Sequence, residues 1–360
     1  MLAIDSHLDL AMNALEWDRD LTQSVFTIRQ GEAGLTEKGR GGGTVCLPEM
    51  RQGEVFLSLP TVFARVKWPV PPSAGRGDLA AGFSAPEIAY AAAQGQLAYY
   101  RVLQSQGKVR MIGDLAALEA HVAEWQRPSE SPPLGFILSM EGADPVVSPA
   151  QLGGWWEDGL RVLSLSHYAI STYAHGTGMM GGLLPAGREL LAEMERLGVI
   201  LDVSHLAEGA FWEALAAYRG PVLASHNCCR ALVPGDRQFS DDQIRALLER
   251  DAVIGVAMDT WMLYPDWQKG VTDPKEAGVG LDTYLDHVDH ICQLAGNARH
   301  AAIGTDFDGG YGKEQSPFDL ETIADLQKLP EMLRRRGYAE SDVELFMHGN
   351  WLRFFRQAWS

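Results

Sequence analysis

Short, continuous apolar runs alternate along this chain with segments of helical periodicity. The runs cover residues 2–9, a second at either 44–47 or 55–63, then 134–141, 161–167, 199–205, 221–226, 252–258 and 301–306. Unbroken Val/Ile/Leu runs fit parallel strands covered on both faces better than the alternation of a half-solvated antiparallel sheet. Between them, Ser84 with Glu87 and Ser240 with Gln243 have capping-box spacing, and 185–197 sets Leu190, Leu191, Met194 and Leu197 on one stripe before Gly198. Eight strand-and-helix units predict an α/β fold, a TIM-type (β/α)8 barrel. The Gly-rich segment 39–43 leaves two registers open for the second strand. Stretches 69–77 and 127–133 read as ordinary connecting loops, and no repeat period is present. Barrels routinely exceed the usual residue count per domain, so 1–360 is expected to form one domain.

Composition narrows the partners. With 46% hydrophobic and 21% charged positions over 360 residues, the chain can bury a sizeable core. No run approaches the roughly 18 apolar residues of a membrane helix. Thirty Lys and Arg against 47 Asp and Glu leave a formal charge of −17, which argues against nucleic acid or anionic membrane as a partner. The one compact basic run, Arg334 to Arg336, closes a predicted helix and complements its dipole. Cysteines at 46, 228, 229 and 292 have no scaffold spacing, and the first residues show no signal-peptide pattern. A reducing, cytoplasmic setting is expected.

The chemistry lies where the runs end. His7 and Asp9 close the first; Glu141, His167, His205, His226 and Asp306 close others. A single polar residue at a strand end is ordinarily just a satisfied one. Seven at the edge where barrel enzymes carry their chemistry point to one site. Residues two apart on a strand share a face about 7 Å apart, so His7 and Asp9 can converge on one cation. A carboxylate such as Glu141 could bridge two metals, and His/Asp/Glu donors without thiolate suit an open catalytic zinc site. His287 and His290, three apart on a predicted helix outside the barrel, read as surface or supporting residues. Cys228 and Cys229 read as small residues buried beneath a loop. His121, His175, His300 and His348 have no partner pattern.

At this point the sequence resembles the renal (membrane) dipeptidase family of metallopeptidases, within the amidohydrolase-like barrels. The matching segments are Ile4-Asp-Ser-His-Leu-Asp9, Met140-Glu-Gly142, Leu165-Ser-His167, 187–205 ending in Leu-Asp-Val-Ser-His, and Ala224-Ser-His-Asn227. Arg230-Ala-Leu232, Asp286-His-Val-Asp-His290, Ile303-Gly-Thr-Asp-Phe-Asp-Gly309 and Gly349-Asn-Trp-Leu-Arg353 continue them in family order. The resemblance implies a zinc dipeptidase with two Zn²⁺: His7, Asp9 and Glu141 on one ion, Glu141, His205 and His226 on the other. It further implies that His167 contacts substrate and stabilises the oxyanion, that Asp306 handles protons at the scissile amide, and that the enzyme is a homodimer. Arg237, eleven residues after His226, aligns with the arginine that holds the substrate carboxylate, with Arg230 ranked second.

These roles agree with general chemistry. Two metals roughly 3.5–4 Å apart can share a hydroxide and stabilise the charge that develops on attack. An Arg fork pairs bidentately with a terminal carboxylate. The chain departs from the family where Ala-Asp-Pro follows Gly142, where Asp259-Thr-Trp-Met-Leu-Tyr264 replaces an Asn-Phe-Tyr pattern, and between Gly39 and Arg65. Those segments would form pocket walls and bear on substrate identity. The expectation is hydrolysis of small dipeptides, some with a C-terminal D-residue. The competing readings are a lactone, β-lactam or other cyclic-amide hydrolase on the same metals, and a metal-binding protein without catalysis.

Overall fold

The computed structural model describes residues 1–67, 82–127 and 132–360. The loop expected at 69–77 lies outside the described residues, as does most of that at 127–133. The described residues form ten strands: β1 (Ala3–Leu8), β2 (Val55–Phe63), β3 (Val109–Met111), β4 (Leu134–Phe136), β5 (Ser139–Glu141), β6 (Val162–Ser164), β7 (Ile200–Asp202), β8 (Val222–Asn227), β9 (Ile254–Val256) and β10 (Ala301–Ile303). Parallel strands alternating with helices are the α/β arrangement of a TIM-type barrel.

The chain packs as two compact units. The first comprises Met1–Pro60, Asp114–Phe136 and Ala224–Ser360; the second comprises Thr61–Gly113 and Ile137–Leu223. In the first unit β1 pairs with β2, β2 with β4, β8 with β9 and β9 with β10, all parallel. Leu8 at the end of β1 bridges Phe307 just beyond β10. In the second unit the end of β2 pairs with β5, β5 with β6, β6 with β7, and β7 with the start of β8.

Small residues set the strand spacing around β1, β8, β9 and β10. A Cβ on Gly255 or Gly304 would stand 2.1 or 2.0 Å from the Ser225 carbonyl oxygen, so no larger residue fits. Ser6 Oγ donates into the same space, to the carbonyls of Ser225 (2.5 Å) and Ile303 (3.0 Å). Polar atoms buried there are thereby paired.

The second strand settles on 55–63. Residues 44–47 instead lead into the helix Leu47–Gln52, and Thr44 is committed to Asp308 through its backbone N–H and its hydroxyl. The run at 134–141 resolves into β4 and β5, with Ile137 and Leu138 buried between them. Strand β3 was not among the expected runs. The Ser240–Gln243 capping box forms in full. The one expected at Ser84 does not: the helix Pro86–Ser105 takes Ala85 as N-cap, with Pro86 in its first turn. The helix Pro185–Leu197 buries Leu190, Leu191 and Met194 and ends on Gly198 at φ +73°. Arg334 and Arg335 lie in the last turn of Leu329–Arg335, and Arg336 pairs with Asp282, Asp286 and Asp289. Among the described residues no helix is long and apolar enough to cross a membrane.

Candidate functional site

In the first unit, β1 presents buried His7 and hands the chain to Asp9, which precedes the helix Leu10–Glu16. His7 Nε2 lies 3.8 Å from Asp9 Oδ2 and 3.7 Å from Asp306 Oδ1, close enough for the three residues to hold one ion. His226, on β8, lies against His7 with ring centroids 3.7 Å apart. Ser225 Oγ reaches both rings on the Nδ1 side, at 2.8 Å from His226 and 3.4 Å from His7. Holding Nδ1 leaves Nε2 for a ligand, the usual arrangement behind a metal-binding histidine.

Asp306 follows β10 by three residues and adopts φ +61°, the left-handed region that a non-glycine residue enters only at a cost of roughly 1–3 kcal/mol. A Cβ on Gly309 would stand 2.2 Å from Asp306 Oδ1, so glycine is required beside that carboxylate. Asp308 is buried and accepts from Thr44 N (2.8 Å), Thr44 Oγ1 (2.8 Å) and Val45 N (3.2 Å). Burial nonetheless pushes its carboxyl up, against the pull of Arg19 and these donors. Arg19 binds Glu32 through Nε at 2.7 Å and Asn13 Oδ1 through Nη1 at 2.7 Å, while Asn13 Nδ2 donates to the carbonyls of Asp9 (3.0 Å) and Asp308 (2.9 Å). This network ties the turn after β1 to the turn after β10.

Asp5, two residues before His7, accepts from Thr305 N (3.0 Å) and Thr305 Oγ1 (2.6 Å). Burial raises its pKa to about 6 in spite of those bonds. Arg237 is buried, donates through Nη2 to the His226 carbonyl at 2.8 Å, and has no hydrogen-bond partner at Nη1 among the described residues. Arg230 is committed to its own loop, donating to Gly235, Gln238 and Gln243.

In the second unit, Glu141 ends β5, and His167 and His205 each follow a strand by three residues. Glu141 Oε1 lies 3.3 Å from His205 Nε2 and 3.7 Å from His167 Nε2, and the three side chains could hold one ion. The two rings tilt together at 4.3 Å, with Phe63 edge-on to His167 at 4.8 Å. Thr177 Oγ1 lies 3.0 Å from His205 Nδ1.

The donors are imidazole nitrogens and carboxylates, which fit zinc in an open site. Burial raises the thiols of Cys228, to about 12, and of Cys229, and their Sγ atoms lie 3.5 Å from the Ala257 and His287 carbonyl oxygens. His287 is buried, and its Nδ1 accepts from the Cys229 N–H at 3.0 Å, a supporting role; His290 pairs with Asp241 at 2.8 Å. His121, His175, His300 and His348 each place a ring nitrogen against a backbone carbonyl. Sequence alone assigns no role to Ser225, Asp5, Asp308 or Thr177. The first three sit within two residues of a candidate ligand or proton carrier, a local signal that was available; Thr177 carries none.

The model of the membrane dipeptidase family, peptidase family M19, matches residues 1–360. An uncharacterised protein in the pqqA 5′ region of Klebsiella pneumoniae is 28% identical over 269 residues, 72% of this chain and 92% of its own. Dipeptidase aclJ of Aspergillus oryzae is 31% identical over 226 residues, 61% of this chain and 50% of its own. Dipeptidase 3 of Rattus norvegicus is 28% identical over 233 residues, 62% of this chain and 45% of its own. The chain thus spans about half the length of these two named dipeptidases. Among solved structures, the M19 metallopeptidase dipeptidase AC matches with a TM-score of 0.81 at 22% identity, covering 100% of this chain and 99% of that one. A metallopeptidase from Rhodobacter sphaeroides, liganded with a phosphinate mimic of the dipeptide L-Ala-D-Ala, matches with a TM-score of 0.78 at 22% identity and the same coverage. The structural likenesses show a shared fold, and the family match over the full length shows that this chain belongs to the membrane dipeptidase family of metallopeptidases, M19.

Proposed function

We propose that the chain is a zinc-dependent dipeptidase whose two ions are held by His7, Asp9, Glu141, His205 and His226. The observation that carries this reading is the orientation of the imidazoles. In His7 and His205, Nε2 faces carboxylate oxygens while Nδ1 is in hydrogen-bond range of a hydroxyl. When bound, the ions supply Lewis-acid polarisation of the scissile carbonyl and acidify the attacking water.

The chain's own residues do the rest. His167 donates to the carbonyl oxygen as charge develops on it, and Asp306 carries the proton toward the leaving amine. Arg237, already tethered at Nη2, offers Nη1 to the terminal carboxylate. A dipeptide is the substrate that uses all three: one amide, one leaving amine and one free carboxylate. The L-Ala-D-Ala mimic bound to the Rhodobacter sphaeroides relative supports acceptance of a D-residue at the C-terminal position here.

The test is turnover of zinc-loaded protein on L,L and L,D dipeptides beside lactones and β-lactams. Dipeptide hydrolysis that disappears on exhaustive chelation and returns with zinc is expected. Full activity in protein verified to be metal-free, or turnover of cyclic esters and amides alone, would overturn the proposal.

A further inference from the structure

In the second unit a short segment, 174–177, is laced between the chain leaving β6 and the chain leaving β7. The Thr177 N–H donates to the His167 carbonyl at 3.0 Å, and the Thr177 carbonyl accepts from the Ala169 N–H at 3.0 Å. Gly176 bridges Leu206 in antiparallel fashion, and the Ala207 N–H donates to the His175 carbonyl at 3.0 Å. A Cβ on Gly176 would stand 1.9 Å from the His167 carbonyl oxygen, so only glycine allows this approach. Thr177 therefore meets both strand-end histidines: His167 through the backbone and His205 through its side chain.

The side chain carries the inference. Buried Thr177 Oγ1 lies 3.2 Å from the His205 carbonyl oxygen and 3.0 Å from its Nδ1. A carbonyl can only accept, so the hydroxyl proton goes to it. Oγ1 then has only lone pairs to offer Nδ1, and that bond forms only if Nδ1 carries the proton. A neutral ring protonated at Nδ1 has a bare Nε2. This Nε2 faces Glu141 Oε1 at 3.3 Å, a pair of lone pairs that a cation between them would reconcile. His205 itself sits at φ +66°, an uncommon backbone state that the bond to its carbonyl helps to hold.

We propose that Thr177 is the positioning residue for His205: its hydroxyl fixes the Nδ1–H tautomer and the ring orientation, so that Nε2 is the atom offered to metal. The metal half of this statement rests on the zinc reading above; the tautomer half does not. The effect of the Thr177 side chain passes through His205.

Thr177→Val removes the hydroxyl and keeps the branched shape, Thr177→Ala is a second hydroxyl-free variant, and Thr177→Ser keeps the hydroxyl. Two readouts separate the halves. Imidazole ¹⁵N spectra of the histidine-labelled, metal-free full chain at alkaline pH, assigned with His205→Asn, report the tautomer. Chelator competition reports zinc affinity. The expected result is Nδ1–H at His205 in the wild type and Thr177→Ser, a tautomer mixture in the hydroxyl-free variants, and a loss of zinc affinity of roughly 10- to 100-fold at one ion in those variants alone. An unchanged tautomer in Thr177→Val and Thr177→Ala overturns the proposal, as does a Thr177→Ser variant as impaired as Thr177→Val. A shifted tautomer with wild-type zinc affinity upholds the positioning of His205 and removes His205 from the zinc ligands, a failure of the functional reading instead.

Discussion

At the scale of single residues, the arginines show how geometry separates two candidates that sequence could only rank. Arg230 spends its guanidinium on carbonyls of its own loop and on Gln243, part of the capping box at Ser240. Arg237 is buried with Nη2 tethered and Nη1 without a partner among the described residues. A buried guanidinium nitrogen left unpaired is costly unless a ligand completes it. Arg237→Met is therefore expected to raise KM for free dipeptides by roughly 30-fold, equivalent to about 2 kcal/mol for a charged hydrogen bond, with kcat much less affected. C-terminally amidated dipeptides should show little difference between variant and wild type. Arg230→Met should lower thermal stability and leave KM near wild type; steady-state kinetics on the two substrate series check both. The candidate ligands were legible because each stands at the end of an apolar run. Their supports were not, because what makes Thr177 or Asp308 matter is a contact with residues 28 or 264 positions away in sequence.

At the scale of elements, legibility followed length and continuity of the apolar pattern. The six-residue β1 and β8 coincide with expected runs, whereas the three-residue β3, Val109-Arg-Met111, has too few apolar positions to stand out. The break between β4 and β5 was invisible because Ile137 and Leu138 are as buried as the strands they separate. The helix Leu281–Ala295 shows how an outer element supports an inner loop. Its His287 accepts from the Cys229 N–H, and burial, reinforced by His290, lowers the His287 pKa to about 4. A histidine held neutral in the fold binds its proton more readily when unfolded. The contribution is complete above pH 6.5 and is lost as pH falls toward 4, by at most about 3 kcal/mol. Thermal melts from pH 7.5 to 4.5 should thus fall more steeply for the wild type than for His287→Asn, whose amide oxygen can take over the role of Nδ1. Parallel slopes would remove His287 from the account.

At the scale of the whole molecule, the relation of the two units to the chain sets how it should unfold. Each unit is assembled from separated stretches, and the boundaries fall inside strands, between Pro60 and Thr61 of β2 and between Leu223 and Ala224 of β8. β2 and β8 each contribute ladder pairs to both units, so no loop separates one unit from the other along these strands. One cooperative transition is expected, although chains of this size often unfold in stages. Zinc should act on that same transition. A ligand bound only by the folded state raises its stability by mass action, about 2.7 kcal/mol at a hundredfold excess over Kd. Hydrogen exchange resolved by segment can follow α-helical amides of 281–295 in the first unit and 185–197 in the second. With zinc added to chelated protein, protection in these helices should rise. No gain of protection in either helix would count against zinc as a ligand of the folded state.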